Sequence, residues 1–232
     1  MEGQSIRPDL KRYVENFYSP LPKDDSEKMA VGLIDLAAVG ADGRRSIKTF
    51  FEQVVRYVFR QFGFSEVAIG LKDRKEDVWK YEAAFGFTKD VEAKLFRARY
   101  DRADMYGQER FPNIKTGKLS ELNVAEGLPV EDTEMYDRPY RFRAKRTSVE
   151  EFHQGDFMDF WMFDEKREIV GWIEVSSPKD KKQPSRATVR WIEFLASLCA
   201  QMVLLRWEED QLRSKKASSP GPPVENADMP SG

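Results

Sequence analysis

The residues best suited to acid–base or ligand chemistry are concentrated in one stretch, SVEEFHQGDFMDFWMF, at 148–163. His153, the only histidine of the chain, follows two glutamates and precedes Asp156. A histidine with a pKa of about 6.5 can serve as a general base, a haem ligand or a donor to an anionic ligand. A hydrogen-bonded or solvated loop histidine explains the same residues, because no serine, cysteine or carboxylate is spaced to form a catalytic pair with it. We therefore predict no catalytic residue, and we expect His153 and Asp156 to flank the mouth of a ligand pocket.

The cysteine and histidine counts limit redox and metal chemistry. Cys199 is the only cysteine, so an intrachain disulfide and a zinc site built from several thiolates are both excluded. Cys199 falls on an apolar helical stripe, where buried cysteines are unreactive. We predict no metal site.

Composition also bears on the compartment. A single cysteine fits a reducing environment. The N-terminal residues lack the apolar core of a signal peptide, and no run approaches the ~20 apolar residues that span a bilayer. We expect a cytoplasmic protein without a membrane partner.

Charge is balanced overall and clustered locally. The 38 Lys and Arg residues against 40 Asp and Glu residues give a net charge of −2, so we expect no nucleic-acid partner. Arg141 and Arg143 alternate with apolar residues on a predicted strand, together with Lys145. Their fork-shaped donors can hold a phosphate or carboxylate. A solvated edge strand, protected from aggregation by basic residues, is the alternative.

Aromatic residues supply the remaining candidates for a ligand pocket, since such pockets are largely apolar with a few polar groups. Trp79, Tyr81, Phe85 and Trp161 lie on predicted strands, where most aromatics belong to the core. A variable helix carries three plausible lid residues. The complete predicted ligand-binding set is Trp79, Tyr81, Phe85, Arg99, Tyr100, Tyr106, Arg141, Arg143, His153, Asp156 and Trp161.

The elements that position these residues follow from hydrophobic periodicity. A helical period extends over 46–63, with Ser46 as N-cap and Gly63 as stop. The period then changes to two in FSEVAIGLK and VWKYEAAFGF, which predicts a hairpin. A helix capped by Asp90 follows, and 111–139 shows no clear element.

Three strands and a long helix complete the predicted order. The strands are YRFRAKRTS, DFMDFWMF and EIVGWIEVSSP, and the second is apolar on both faces, as a central strand covered on both sides would be. Ser185 is placed to cap the helix.

This order predicts an α+β fold. We expect an antiparallel sheet of five to six strands, with the N- and C-terminal helices on one face and variable helices and loops over the other. Residues 1–45 are expected to form an N-terminal extension with a short helix capped by Ser26 and ended by Gly40 and Gly43. Residues 46–213 are expected to form the domain. The tail at 214–232, rich in Pro, Ser and Gly, is predicted to be disordered.

Two segments resemble GAF domains, and together they span roughly 47–207. The helix and hairpin from FFEQVV to AAFGF resemble the opening helix and first two strands of the family. The segment from FDEKRE to RWEED resembles its C-terminal half, with a G-x-I-x-V strand, a P-x-D-x-x-x-P-S loop and the terminal helix. The matching positions are Gly171, Ile173, Val175, Pro178, Asp180, Pro184, Ser185, Ile192, Glu193, Leu195, Ala196 and Ala200.

The resemblance implies a GAF fold and a non-catalytic sensor or regulatory module. It implies an unidentified small-molecule ligand, a homodimer formed through the terminal helices, and action on a separate signalling protein such as a kinase or regulator. The chain lacks the Cys-His pair of bilin-binding members, the cyclic-nucleotide signature, and the several cysteines of sulfoxide reductases. The cofactor is therefore left unassigned. A dimerisation or scaffold module whose pocket is filled by side chains is the alternative.

Overall fold

The computed structural model describes residues 7–17, 22, 24–107, 113–127 and 146–218. The helices are α1 (Pro8–Phe17), α2 (Asp25–Ala41), α3 (Ile47–Gln61), α4 (Lys89–Arg97), α5 (Arg102–Tyr106) and α6 (Arg186–Ser218), with a 3-10 turn at Ala125–Gly127. The strands are β1 (Phe64–Asp73), β2 (Val78–Phe85), β3 (Asn113–Lys115), β4 (Ser120–Asn123), β5 (Phe157–Phe163) and β6 (Ile169–Pro178).

The strands form one antiparallel sheet in the order β2-β1-β6-β5-β4-β3. This arrangement confirms the predicted α+β class and the antiparallel sheet of five to six strands. The β1–β2 hairpin and the β5–β6 pair have the predicted partners. β6 and β5 are the two middle strands, so the sequence that is apolar on both faces does occupy a central position.

Side-chain alternation divides the sheet into two faces. One face carries the main core, in which Ile69, Phe160 and Ile173 pack with Val54 of α3 and Leu195 of α6. The terminal helices therefore share one face, as predicted. The opposite face carries a smaller aromatic cluster that packs under α4 and the residues following it.

The predicted caps of the two main helices are present. The Ser46 hydroxyl accepts a hydrogen bond from the Thr49 amide at 3.1 Å, and Gly63 has a φ of 75° where α3 stops. Ser185 accepts in the same way from the Thr188 amide at 3.1 Å. Such caps satisfy amides that have no partner within the helix.

The first helices differ from the prediction. α2 is capped by Asp24 instead of Ser26, because the Asp24 carboxylate accepts from the Glu27 amide at 2.8 Å. α2 also continues through Gly40, where a Cβ would meet the Met202 side chain at 2.9 Å. The glycine thus permits close packing on α6 and does not end the helix. α1 lies in a segment whose pattern predicts no element.

The middle of the chain also differs. The single helix predicted after an Asp90 cap is two helices, and α4 begins two residues earlier, after Thr88. The break between α4 and α5 occurs because Tyr100 pairs with the edge strand β2. The Tyr100 amide donates to the Trp79 carbonyl at 2.9 Å, and the Trp79 amide donates to the Tyr100 carbonyl at 2.8 Å. β3 and β4 lie where no element was expected. The strand predicted at 140–148 lies outside the described residues up to 145, and 146–148 are not in a strand.

α6 is long and apolar enough to cross a membrane by length and composition alone, because an 18-residue window within Arg186–Lys215 has a mean hydropathy of 1.4. This differs from the expectation that no segment qualifies. The apolar stripe, which includes Val189, Ile192, Cys199 and Val203, is buried in the main core. Burial against the sheet therefore accounts for the composition of this helix. α6 also continues past 213 to Ser218, and 219–232 lie outside the described residues.

Candidate functional site

A cavity of about 390 Å³ lies on the sheet face opposite α3 and α6. Outward-facing residues of β4, β5 and β6 form its floor. Val91 and Leu95 of α4 and Met105 and Tyr106 of α5 cover it. The cavity therefore lies where the variable helices were predicted to cover the sheet.

Aromatic rings form one wall of the cavity. The Trp172 ring lies 5.1 Å from the Tyr81 ring and 5.9 Å from the Tyr100 ring, both in edge-to-face geometry. Trp161 is the cross-strand neighbour of Trp172. Gly70 makes room for this wall, because a Cβ there would lie 2.0 Å from the Trp172 ring.

A pair of carboxylic acids lies in the floor. Asp159 on β5 and Glu174 on β6 are directly opposite each other, and both line the cavity. The Tyr81 hydroxyl donates to Glu174 Oε2 at 2.6 Å, and the Asn123 amide donates to Asp159 Oδ2 at 2.9 Å. The second oxygen of Asp159, Oδ1, is buried and has no hydrogen-bond partner among the described residues. Asp159 itself is only 7% exposed.

The surroundings of this pair favour its protonated form. Burial raises the pKa of Asp159 well above its usual range, and the charges of Glu174 and Glu121 raise it further. Burial also raises the pKa of Glu174, against the hydrogen bond donated by Tyr81. Two like charges held together out of water cost free energy, so a shared proton or a nearby cation stabilises the pair.

The rest of the lining is also acidic. Glu66 accepts hydrogen bonds from the hydroxyls of Ser176 and Ser177 at 2.6 and 2.8 Å. Glu121 and Asp104 bring further carboxylates, and no lysine, arginine or histidine is present among the described residues that line the cavity. Within the ranges that the structure covers, no three His, Cys, Asp or Glu side chains are grouped to hold a metal ion.

Four of the sequence-predicted ligand residues line this cavity: Tyr81, Tyr100, Tyr106 and Trp161. Three others lie elsewhere. Trp79 is buried beneath the wall, where its Nε1 donates to the Ile169 carbonyl at 3.0 Å. Phe85 packs against Phe59 of α3 at 4.7 Å, and Arg99 is exposed and donates to nearby carbonyls. Arg141 and Arg143 lie outside the described residues.

His153 and Asp156 do not line the cavity, in contrast to the expectation that they flank its mouth. Asp156 is fully buried and accepts four hydrogen bonds, two from Arg146 and one each from the amides of Ala125 and His153. These bonds fasten the turn after β4 to the loop before β5. His153 lies away from the cavity because the loop before β5 folds back around the Asp156 carboxylate, to which the His153 amide donates.

Asp159, Glu174, Glu66 and Asn123 are among the polar cavity residues that the sequence analysis omitted. A usable signal was present, since FMDFWMF and GWIEVS each place one acid inside an otherwise apolar central strand. Buried carboxylates are rare without a partner, so an acid at such a position indicates a site.

Solved structures show the same architecture. The chain is similar to a GAF domain/HD domain protein from Geobacter sulfurreducens, with a TM-score of 0.50, 11% identity, and coverage of 74% of this chain and 97% of that one. The fold is GAF-like. Free methionine-R-sulfoxide reductase from Neisseria meningitidis gives a TM-score of 0.51 at 13% identity, covering 82% and 96% of the two chains.

A third similar structure is a bacteriophytochrome from R. palustris, with a TM-score of 0.51 and 15% identity. The match covers 83% of this chain and 40% of the bacteriophytochrome, so the GAF-like fold corresponds to one part of that protein. No family model matches the chain, and no curated protein matches it.

Replacing Asp156 with alanine is expected to lower the free energy of unfolding by about 3–5 kcal/mol, because Arg146 would lose its fully buried partner and two backbone amides would lose their acceptor. Glu126 is the matched control, since it pairs with the same arginine but is 47% exposed. Glu126→Gln should cost less than about 1 kcal/mol. Urea unfolding followed by tryptophan fluorescence measures both values. Equal losses for the two variants would contradict the assigned role.

Replacing Asp159 with asparagine is expected to stabilise the protein increasingly as pH rises. The folded-state pKa of Asp159 is raised above the unfolded value of about 3.9, so folding binds a proton. Wild-type stability is then complete below that value and decreases as pH rises toward the folded-state pKa. Urea unfolding at pH 4, 6 and 8 should show a variant advantage that grows with pH. Glu208→Gln, at an exposed position of α6, is the control, and a constant difference across pH would refute the expectation.

Proposed function

We propose that the chain is a non-catalytic sensory or regulatory module that binds a small molecule in the cavity and acts on a separate protein. The observation that supports this most directly is the cavity itself, whose volume of about 390 Å³ falls within the range typical of ligand pockets. Its apolar walls and convergent polar groups also match that type of site. The cytoplasm, where the single thiol stays reduced, is the proposed compartment.

The filled-pocket scaffold remains the alternative, and the arrangement of the aromatic rings favours ligand binding over it. Tyr81, Tyr100 and Trp172 contact one another edge to face along one wall and leave the space beside them open. An acid pair under that space would serve no purpose in a pure scaffold, because apolar side chains of the same volume would be as stable or more stable there. Ligand binding is therefore the better explanation.

An enzymatic role has less support. One protein of similar fold is a methionine-R-sulfoxide reductase, and in this chain a thiol nucleophile could come only from Cys199. Cys199 is buried on α6, on the opposite face of the sheet, and burial raises the pKa of its thiol. A thiol held in its neutral form is a poor nucleophile. Among the described residues, no nucleophile is paired with a base in the cavity.

Native mass spectrometry of the purified protein tests ligand binding. The wild type is expected to carry a non-covalent mass that is lost on denaturation. Trp161→Ala should reduce its occupancy, because the ring lines the cavity. Trp191→Ala, on α6 and packed against the other face, should retain it. A wild type that shows the polypeptide mass alone would favour the scaffold.

Dimerisation through the terminal helices is part of the same proposal. Leu198, Leu205 and Leu212 recur every seven residues along α6, and Leu205 and Leu212 are 52% and 60% exposed. Apolar residues at this spacing favour pairing with another helix. The paired helices would pass a change in the ligand-binding face to a partner protein.

The double variant Leu205→Glu/Leu212→Glu is expected to be monomeric, because two buried like charges would oppose helix pairing. Light scattering coupled to size-exclusion chromatography measures the mass of the wild type as a dimer and of the variant as a monomer. Ser214→Glu adds charge at an exposed α6 position two residues from Leu212, on the other side of the helix, and should leave the dimer intact. A wild type that elutes as a monomer would remove this part of the proposal.

A further inference from the structure

The cavity combines an aromatic wall with an acid that has one unpartnered oxygen, and this combination limits the charge of its occupant. Asp159 is more than nine-tenths buried, and its Oδ1 has no hydrogen-bond partner within the described part of the chain. A buried acceptor without a donor is costly to leave unsatisfied. An N–H group of a bound molecule would supply the missing hydrogen bond to Asp159 Oδ1 most directly.

The charge around Asp159 adds to this requirement. Glu174 lies directly across from it, and Glu121 and Glu66 complete a floor of four carboxylic acids. Among the described residues, the titratable groups that line the cavity are Glu66, Tyr81, Tyr100, Asp104, Tyr106, Glu121, Asp159 and Glu174. All of these groups are neutral or negative, so an anionic occupant would meet repulsion and a cation would meet attraction.

The aromatic wall suits the rest of such a molecule. Trp161, Trp172 and Tyr100 present rings beside the acids. Ring faces attract cations, and ring surfaces bury apolar groups. A protonated amine with an apolar or aromatic body would satisfy both parts of the cavity at once.

From this arrangement we propose that the ligand is a small organic molecule with a protonated amino group, bound with its N–H donors on Asp159 and Glu174 and its apolar part against Trp161 and Trp172. This inference rests on the proposed ligand-binding function and specifies the chemical class of the ligand. It also differs from the sequence-based alternative in which Arg141 and Arg143 hold a phosphate or carboxylate.

A matched series of three probes separates charge from shape: phenethylamine, which is a cation at neutral pH, 2-phenylethanol, which is neutral, and phenylacetate, which is an anion. Isothermal titration calorimetry should show phenethylamine binding at least about tenfold more tightly than the alcohol, because charge-assisted hydrogen bonds are stronger than neutral ones. Phenylacetate should bind most weakly of the three.

Variants of the acid pair assign the effect to these residues. Asp159→Asn and Glu174→Gln are each expected to lower phenethylamine affinity at least about tenfold. Their affinity for 2-phenylethanol should change less than about threefold, since the aromatic wall is unaltered. Asp159→Asn closely matches the shape of the protonated acid and is expected to fold, and Glu208→Gln serves as the charge-matched control on the exposed side of α6.

Proton release gives an independent readout. The acid pair favours its protonated form in the empty cavity, so a bound ammonium group should displace a proton. Titrations in two buffers of different ionisation enthalpy should show net proton release with phenethylamine and none with 2-phenylethanol. The release should be smaller in Asp159→Asn, which retains only Glu174 of the pair.

The outcomes distinguish this inference from the proposed function. Equal affinity for the amine and the alcohol, or tightest binding of phenylacetate, overturns the cationic ligand and leaves ligand binding intact. A molecule retained from purification that contains no basic nitrogen overturns it as well, whereas one with a basic amine supports it. If none of the three probes binds and the native mass shows the polypeptide alone, both the inference and the ligand-binding function fail.

Discussion

Strands β5 and β6 must be covered on both faces, and the rest of the architecture follows from this constraint. Residues such as Phe160 and Ile173 face α3 and α6, while Trp161 and Trp172, one position along, face the other way. Neither set can be left in water without a large loss of hydrophobic stabilisation. The long terminal helices satisfy the first face. The second depends on α4 and α5, which are short, and short elements leave space over part of the sheet.

The acids occupy the part of the second face that this cover leaves open. Asp159 and Glu174 lie on the two middle strands, where a charged side chain is most costly. Hydrogen bonds from Asn123 and Tyr81 offset part of the cost on one oxygen of each acid. The pair lowers local stability in the unoccupied state, and sites of that kind are commonly functional. Asp156 provides a contrast, because the same residue type is fully paired there and stabilises a loop.

Sequence reasoning was most successful where long periodic segments dictate the structure. The caps at Ser46 and Ser185 precede segments with a period of 3.6, and the hairpin follows from a period of 2.0. The central position of β5 follows from apolar residues on both of its faces. Strands of three and four residues, such as β3 and β4, are too short to show a period. The break at Tyr100 depends on pairing with Trp79, which is distant in sequence. In the cavity, residue type alone predicts the aromatics Tyr81 and Trp161. Asp159 and Glu174 can be assigned to the site only once the pairing of β5 with β6 shows that they are opposite each other.

The cover over the cavity is attached along its edges. Two backbone hydrogen bonds join Tyr100 to the edge strand, and the Tyr106 hydroxyl accepts from the Ile169 amide at 2.8 Å while donating to Glu168. Arg102 forms an exposed ion pair with the same glutamate, 3.0 Å apart. Each bond contributes about 0.5–1.5 kcal/mol, so α5 can detach without unfolding the sheet. Salt weakens the exposed ion pair and leaves the buried floor of the cavity unaffected. Ionic strength should therefore change the rate at which any occupant enters and leaves more than it changes the shape of the binding site.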